Sequence, residues 1–175
     1  MNFVDSLDEP LLAELYRYWS QCRGERFAPA RNNIDPVDIP HLLPHVALCE
    51  IVSDGNGPGR RFRYRLAGTQ IEERFGCTLT NRYLDEVKHG PYLDYIVGLY
   101  ERIIAERMPV YSEGCFRDGD QNTLWAKRLM LPLSEDGAEV TMVLAGIVYV
   151  TSDPGFRTTI LRVQNGFHPS GPEAR

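Results

Sequence analysis

Hydrophobic positions change period several times along the chain, and each change marks an element. Leu12, Leu15, Tyr16 and Trp19 fall at i, i+3, i+4 and i+7, the apolar stripe of an amphipathic helix. Asp8-Glu9-Pro10 gives that helix an acidic start with proline in its first turn, and Gly24 ends it. Asp35-Pro36-Val37-Asp38 predicts a second short helix with Asp35 as N-cap, stopped by Pro44. Val46–Ser53 reads as a strand and Asp54–Gly59 as a turn. The period then becomes two: Phe62, Tyr64 and Leu66 alternate with Arg61, Arg63 and Arg65. The arginine row reads as the solvated face of an edge strand, where charge blocks unwanted pairing; an acidic partner surface is its other use. Thr69-Gln70-Ile71-Glu72 fits a capping box and predicts a helix starting at Thr69. Ile71 and Phe75 share one face of it, and Gly76 closes it in the left-handed conformation. Thr80-Asn81-Arg82 is a further turn.

The clearest helical pattern follows Gly90-Pro91. Leu93, Ile96, Val97, Tyr100, Ile103 and Ile104 predict a helix over Tyr92–Arg107, ended by Pro109. Three strands come next: Val110–Arg117, Thr123–Leu131 and Val140–Val150, separated by the turns Asp118-Gly119-Asp120 and Glu135-Asp136-Gly137. In the last strand both alternating sets are apolar: Met142, Leu144, Val148 and Val150 on one side, Val143, Ala145, Ile147 and Tyr149 on the other. Such a strand must be covered on both faces, so it belongs in mid-sheet, with helices on one face and the leading helix or a second chain on the other. Beyond it, a short strand or helix is expected near Thr158–Val163, and a disordered Gly/Pro/Ser-rich end over Asn165–Arg175.

Several of these pieces together resemble the PAS_5 group of stand-alone PAS domain proteins of alphaproteobacteria. They are Trp19, Arg23-Gly24, Asp35-Pro36, Leu43-Pro44, Arg63–Thr69 and Phe75–Arg82. Where the group has Thr-Gly-Arg, this chain has Thr80-Asn81-Arg82, and Asn is the residue that best replaces Gly at positive φ. The resemblance implies an α+β PAS fold: a five-stranded antiparallel sheet of order 2-1-5-4-3, short helices on one face, and an N-terminal helical extension. It divides the chain into an extension over 1–45, a core over 46–150 and a partly disordered tail over 151–175. It also implies a homodimer through the leading helix, which makes Leu12, Leu15, Tyr16 and Trp19 interface candidates.

Composition narrows the function. A net charge of -5 disfavours a general nucleic-acid or anionic-membrane role. No stretch approaches a membrane span, and the acidic N-terminus has no signal-peptide core, so a cytoplasmic protein is expected. Cys22, Cys49, Cys77 and Cys115 are scattered and read as reduced thiols rather than a zinc site. His41 and His45 are four apart, but Pro44 breaks the helical face that a metal pair needs. No Gly-rich phosphate loop or G-x-S-x-G is present. Glu72-Glu73 and Asp85-Glu86 read as solvated surface. Against flavin-binding PAS domains, the Thr80–Tyr83 run lacks the reactive Cys, and Cys77 lies upstream of it. A haem would need an axial histidine, for which only His89 is available, beside Gly90-Pro91 in a loop. The cofactor is therefore unknown, with no haem or flavin motif, and the chain is not read as an enzyme.

What remains is a small-molecule cavity between sheet and helices, mostly apolar with a few placed polar groups. Tyr64, Phe75, Tyr100, Tyr111, Ser112, Trp125 and Arg128 are its candidate lining. Alternation alone leaves open whether Trp125/Lys127/Leu129 or Leu124/Ala126/Arg128 faces inward. An inward Arg128 would need a carboxylate or an anionic ligand. The expected function is a stand-alone sensor or adaptor, which binds a small molecule or partner protein and relays it through a dimer or partner interface. A ligand-free dimerisation scaffold with a filled core is the alternative. An enzyme on a similar cone-like fold would need an acid/base pair inside the cavity.

Overall fold

The strand that is apolar on both faces lies in the middle of the sheet. The computed structural model describes residues 3–53, 59–117, 123–150 and 162–164. Helix α1 spans Pro10–Arg23, α2 Thr69–Phe75, α3 Leu84–Val87 and α4 Gly90–Glu106. The strands are β1 Val46–Ser53, β2 Arg60–Ala67, β3 Val110–Arg117, β4 Thr123–Leu133, β5 Met142–Val150 and the short β6 Arg162–Gln164. The PAS order 2-1-5-4-3 is present, all pairs antiparallel, and β6 extends it beyond β3 to give β2-β1-β5-β4-β3-β6. The turn expected over Asp54–Gly59 (apart from Gly59), that expected over Asp118–Asp120, Cys115 and the rest of the tail lie outside the described residues or side chains.

Each face of the sheet carries its own core. On one, Ile71, Leu79, Leu84, Ile96, Leu99, Tyr100 and Ile103 pack on Ala47, Cys49, Phe62, Tyr64, Met130, Val143 and Ala145. On the other, Leu7, Leu12, Leu15, Trp19, Ile34, Ile39 and Leu42 pack on Leu48, Tyr111, Leu129, Leu131 and Leu144. The extension is thus the second cover that β5 requires. Leu12, Leu15 and Trp19 are each only 1% exposed. Gly146 of β5 lets the helix come this close: a Cβ there would stand 2.7 Å from Leu15 Cδ2 and 2.8 Å from Leu12 Cδ2. The Trp19 indole nitrogen donates to the Pro132 carbonyl at 2.9 Å. Pro132 prolongs β4 two residues past its expected end, at a point beyond Met130, the last residue of β4 to pair with β3. A proline there breaks no β3 hydrogen bond.

Local chemistry explains the short elements. Asp35 caps one 3-10 turn, Pro36–Asp38, by accepting from Val37 N at 2.9 Å. Tyr18 of α1 accepts from Asp35 N at 2.8 Å and ties that turn to the helix. Gly76 ends α2 at φ 67, and Asn81 takes φ 68. The Asn81 turn docks on β2: Asn81 N donates to Tyr64 O at 2.7 Å, and Tyr64 N to Arg82 O at 2.9 Å. That backbone pairing covers part of the edge strand. The capping box at Thr69 does not form. Gly68 is the N-cap without a side-chain bond, and Glu72 instead accepts from Leu79 N at 2.8 Å, where the chain folds back over α2. The arginine row of β2 is not merely solvated. Arg61 binds Asp85 through two nitrogens at 2.7 and 2.9 Å, Arg63 binds Glu50 at 2.6 Å, and Arg65 stands 3.7 Å from the same Glu50 carboxylate.

Candidate functional site

The helical face encloses a cavity. Its floor is Ala47 and Tyr64 from β1 and β2, Arg128 and Met130 from β4, and Ala145, Ile147 and Tyr149 from β5. Its roof is Phe75 from α2, Leu84 from α3, and Tyr92, Ile96 and Tyr100 from α4. About 20 Å³ is left for the centre of a water-sized sphere, room for one or two waters. The apolar side chains follow from the periods that build the elements. Strand alternation puts Ala126, Arg128 and Met130 on this face, and the helical repeat stacks Tyr92, Ile96 and Tyr100 one turn apart.

Arg128 is 3% exposed. Its Nη2 donates to the Tyr92 hydroxyl at 3.0 Å, and its guanidinium carbon lies 5.8 Å from the Tyr92 ring centre. Burial disfavours its charge, but the phenols of Tyr92, Tyr95, Tyr149 and Tyr64 offset that, and its pKa moves up. Burial in turn pushes Tyr149 up to about 12 and holds Tyr64 and Tyr100 well above the ordinary tyrosine value. No Asp or Glu is among the residues lining the cavity.

Two more cations stand where the lining meets solvent. Lys88 Nζ lies 3.7 Å from the Phe75 ring centre and 4.8 Å from that of Tyr92. Arg74 lies 5.6 Å from the Tyr149 ring centre. Phe75, Tyr92 and Tyr149 are all half-buried, so the mouth is aromatic with positive charge on its rim.

Of the lining read from the sequence, Tyr64, Phe75, Tyr100 and Arg128 meet here. Ser112 shares their face, paired with Arg128 across β3 and β4, and is buried outside the cavity lining. Tyr111 and Trp125 are corrected to the opposite face, because each is odd in a strand whose even residues face the helices. The Tyr111 hydroxyl stands 2.7 Å from Glu113 and 3.2 Å from Asp8, and Lys127 holds Asp8 at 2.7 Å. Trp125 pairs with Val150, on the α1 side of β5. Tyr92 and Tyr149 were missed. The signal for Tyr92 was its i, i+4, i+8 spacing with Ile96 and Tyr100, and for Tyr149 its alternation with Ile147.

The interface candidates Leu12, Leu15 and Trp19 are buried under their own sheet and expose nothing to a second chain. Tyr16 is half-buried and packs on Phe3, with ring centres 5.1 Å apart. His41 Nε2 lies 2.9 Å from Glu14 Oε1 on the surface. His89 is exposed ahead of α4 and outside the lining. Cys77 accepts from Arg82 Nη1 at 3.4 Å. A second cavity, of about 30 Å³ for the centre of a water-sized sphere, lies on the α1 side among Ile34, Ile39, Leu43, Leu48, Leu133 and Leu144. Apart from Arg31 its wall is apolar, so it offers little to recognise a ligand by.

Comparison with family models agrees with this fold. The family model described as PAS domain, PAS_5, matches residues 7–148. No curated protein matches the chain. Among solved structures it is similar to an RNA-binding Light-Oxygen-Voltage receptor, with 16% identity and a TM-score of 0.43. That match covers 70% of this chain and 36% of the receptor's, so the chain spans about a third of the receptor's length.

Proposed function

The chain belongs to the PAS_5 family of PAS domains, and from that premise we propose that it senses a small molecule in the cavity between α2–α4 and the sheet. A PAS domain is a sensory and signalling domain in general; the ligand cavity and the relay are the specific reading. One observation carries it. Arg128 and four tyrosines stand in the wall of a small, otherwise apolar cavity, the pattern of a binding site with few placed polar groups. Filling a core with a buried guanidinium is a costly alternative to filling it with apolar side chains.

Two consequences follow for mechanism. The cavity is too small for an organic ligand as it stands, so binding must open it. The parts able to move are short: α2 has 7 residues and α3 has 4. Ligand entry would shift the balance between a closed and an opened roof, and a partner protein or second copy would read the roof's outer surface.

Native mass spectrometry of freshly purified protein tests this. A retained small molecule supports sensing. An empty dimer supports the second reading, a ligand-free scaffold, which the smallness of the cavity favours. A chain that is empty, and whose melting temperature no metabolite mixture shifts, refutes the sensor.

A further inference from the structure

We propose that the outer edge of β3 is a docking edge for an extended, basic segment of a partner protein, and that the chain's own β6 occupies it until such a segment arrives. This interaction surface is separate from the cavity and does not depend on what the cavity binds.

A sheet is open to another chain at its edges, where backbone N–H and C=O groups lack partners. β2 is the outer strand on one side and β6 on the other. The outer side of β2 is closed by folded chain: Tyr64 N donates to Arg82 O, Asn81 N donates to Tyr64 O, and Arg63 bridges to Tyr83. The other side is closed only in part. β3 pairs with β4 along all 8 of its residues, Val110–Arg117. β6 has 3 residues and meets only Tyr111, Ser112 and Glu113. Among the described residues no strand lies beside 114–117 on that side. Lysine and proline, common guards of an exposed edge, do not occur in the β3 sequence VYSEGCFR.

A partner segment pairing along the whole of β3 makes the pairs that β6 makes and those it leaves unmade, the mode in which a peptide adds a strand to a sheet. Chain length permits the exchange. β5 and β6 stand three strand spacings apart, roughly 15 Å, and residues 151–161 can extend to about 36 Å. That length keeps β6 beside the edge and also allows it to leave. The chemistry of the occupant follows from Glu113. In register Arg162 stands opposite Glu113 and Val163 opposite Ser112. The Glu113 carboxylate accepts from the Tyr111 hydroxyl at 2.7 Å, a neutral donor. Lys127, opposite Glu113 on β4, gives its ammonium to Asp8 at 2.7 Å instead. A cation across from Glu113 is therefore favoured, and the net charge of -5 draws a basic segment to the molecule. A second copy is a poorer occupant. It brings the same acidic charge, and exchanging so short a strand buries far less than a stable interface needs.

The test uses the full chain, with a labelled synthetic peptide of residues 158–168 as the probe strand. Val163→Pro removes a backbone donor from β6 and should free the edge. Hydrogen exchange across 110–117 should then be faster than in the parent. The peptide should bind Val163→Pro, read by anisotropy. It should bind the parent at least about tenfold more weakly, because β6 leaves the edge open in only a fraction of parent molecules. Arg162→Gln in the peptide should weaken binding about threefold, and that loss should vanish on the Glu113→Gln protein. A peptide that binds Val163→Pro no better than the parent, with exchange over β3 unchanged, overturns the docking edge. If Val163→Pro does not fold, saturating peptide on the parent should still slow exchange at 114–117, and no slowing there overturns the edge as well. A loss from Arg162→Gln that persists on Glu113→Gln overturns the basic character of the occupant. A parent dimer that Val163→Pro turns into a monomer, by light scattering, overturns the partner strand, because the occupant is then a second copy's tail.

Discussion

Gly68→Ala should be among the most damaging single-methyl changes in the protein. Gly68 sits at the corner between β2 and α2 with φ -71 and ψ 158, angles that any residue adopts. On backbone grounds alone alanine there should stabilise by about 0.4–1 kcal/mol, through the unfolded chain. Packing reverses the sign. A Cβ at 68 would stand 2.1 Å from Leu43 O, 2.4 Å from Pro44 O and 2.5 Å from Pro44 C. These are backbone atoms, two of them on the residue that stiffens the turn, and they cannot rotate away. The Gly68 N–H also donates to Val46 O at 2.8 Å, so separating the segments breaks a buried bond. Overpacking of this kind costs about 3 kcal/mol, or a fall in melting temperature of about 6–12 °C for a chain this size. Gly146→Ala is the control. Its Cβ would approach Leu15 and Leu12 at 2.7 and 2.8 Å, but those are terminal methyls with room to turn, and about 1 kcal/mol is expected. Urea unfolding of both variants with a shared m-value measures the difference. A midpoint for Gly68→Ala at or above that of the parent, or below it by no more than Gly146→Ala, refutes the reasoning.

Three further outcomes are expected. Burial raises the Asp8 pKa, but the Lys127 ammonium and the Tyr111 hydroxyl lower it more, so the folded value lies below the ordinary 3.8. Its contribution is then complete above 3.8 and lost as pH falls through the folded value; Asp8→Asn should cost about 0.5 kcal/mol in urea melts at pH 7 and nothing at pH 2, the size of an exposed pair. Asn81 holds φ 68, so Asn81→Ala should lose about 1 kcal/mol and Asn81→Gly should be near neutral; equal losses in the same melts would show that the side chain, not the backbone, matters. Cys49 is buried and its thiol is pushed up to about 12, so mass-mapped alkylation of folded protein at pH 8 should label the half-buried Cys22 and Cys77 and leave Cys49 untouched; rapid labelling of Cys49 would mean that β1 is not sealed.

The sequence told most where one residue type admits one answer. An apolar set on both sides of Val143–Val150 leaves only mid-sheet, and β5 is there. Gly76 and Asn81 announce left-handed turns by chemistry alone, and both have positive φ. It told least where the decision belongs to a distant partner. Thr69 and Glu72 have the spacing of a capping box, yet Leu79 N reaches Glu72 first. The two faces of β4 each offer an aromatic or a cation, so alternation could not choose between Trp125 and Arg128; the register against β5 does. The stripe of α1 reads equally well as a subunit interface or a sheet cover, because a helix face carries no mark of which chain it will meet. Gly146 was the overlooked clue, a missing side chain where the helix had to land.

The two cores also constrain how the cavity can open. Its floor and the seat of α1 are the same strands: Ala145, Ile147 and Tyr149 face the cavity, while Leu144 and Gly146 face the helix. Displacing the floor would drive β5 into Leu12 and Leu15, whose methyls already stand within 2.8 Å of where a Cβ at Gly146 would lie. Close-packed interiors do not yield to such pushes. Among the described residues the roof has no comparable backing. Phe75 and Tyr92 are half-buried with Lys88 above them, and α3 is a single turn. Expansion must therefore run outward through α2, α3 and the start of α4. The packing that buries the apolar stripe of α1 against the sheet is also what directs the proposed opening to the helical roof.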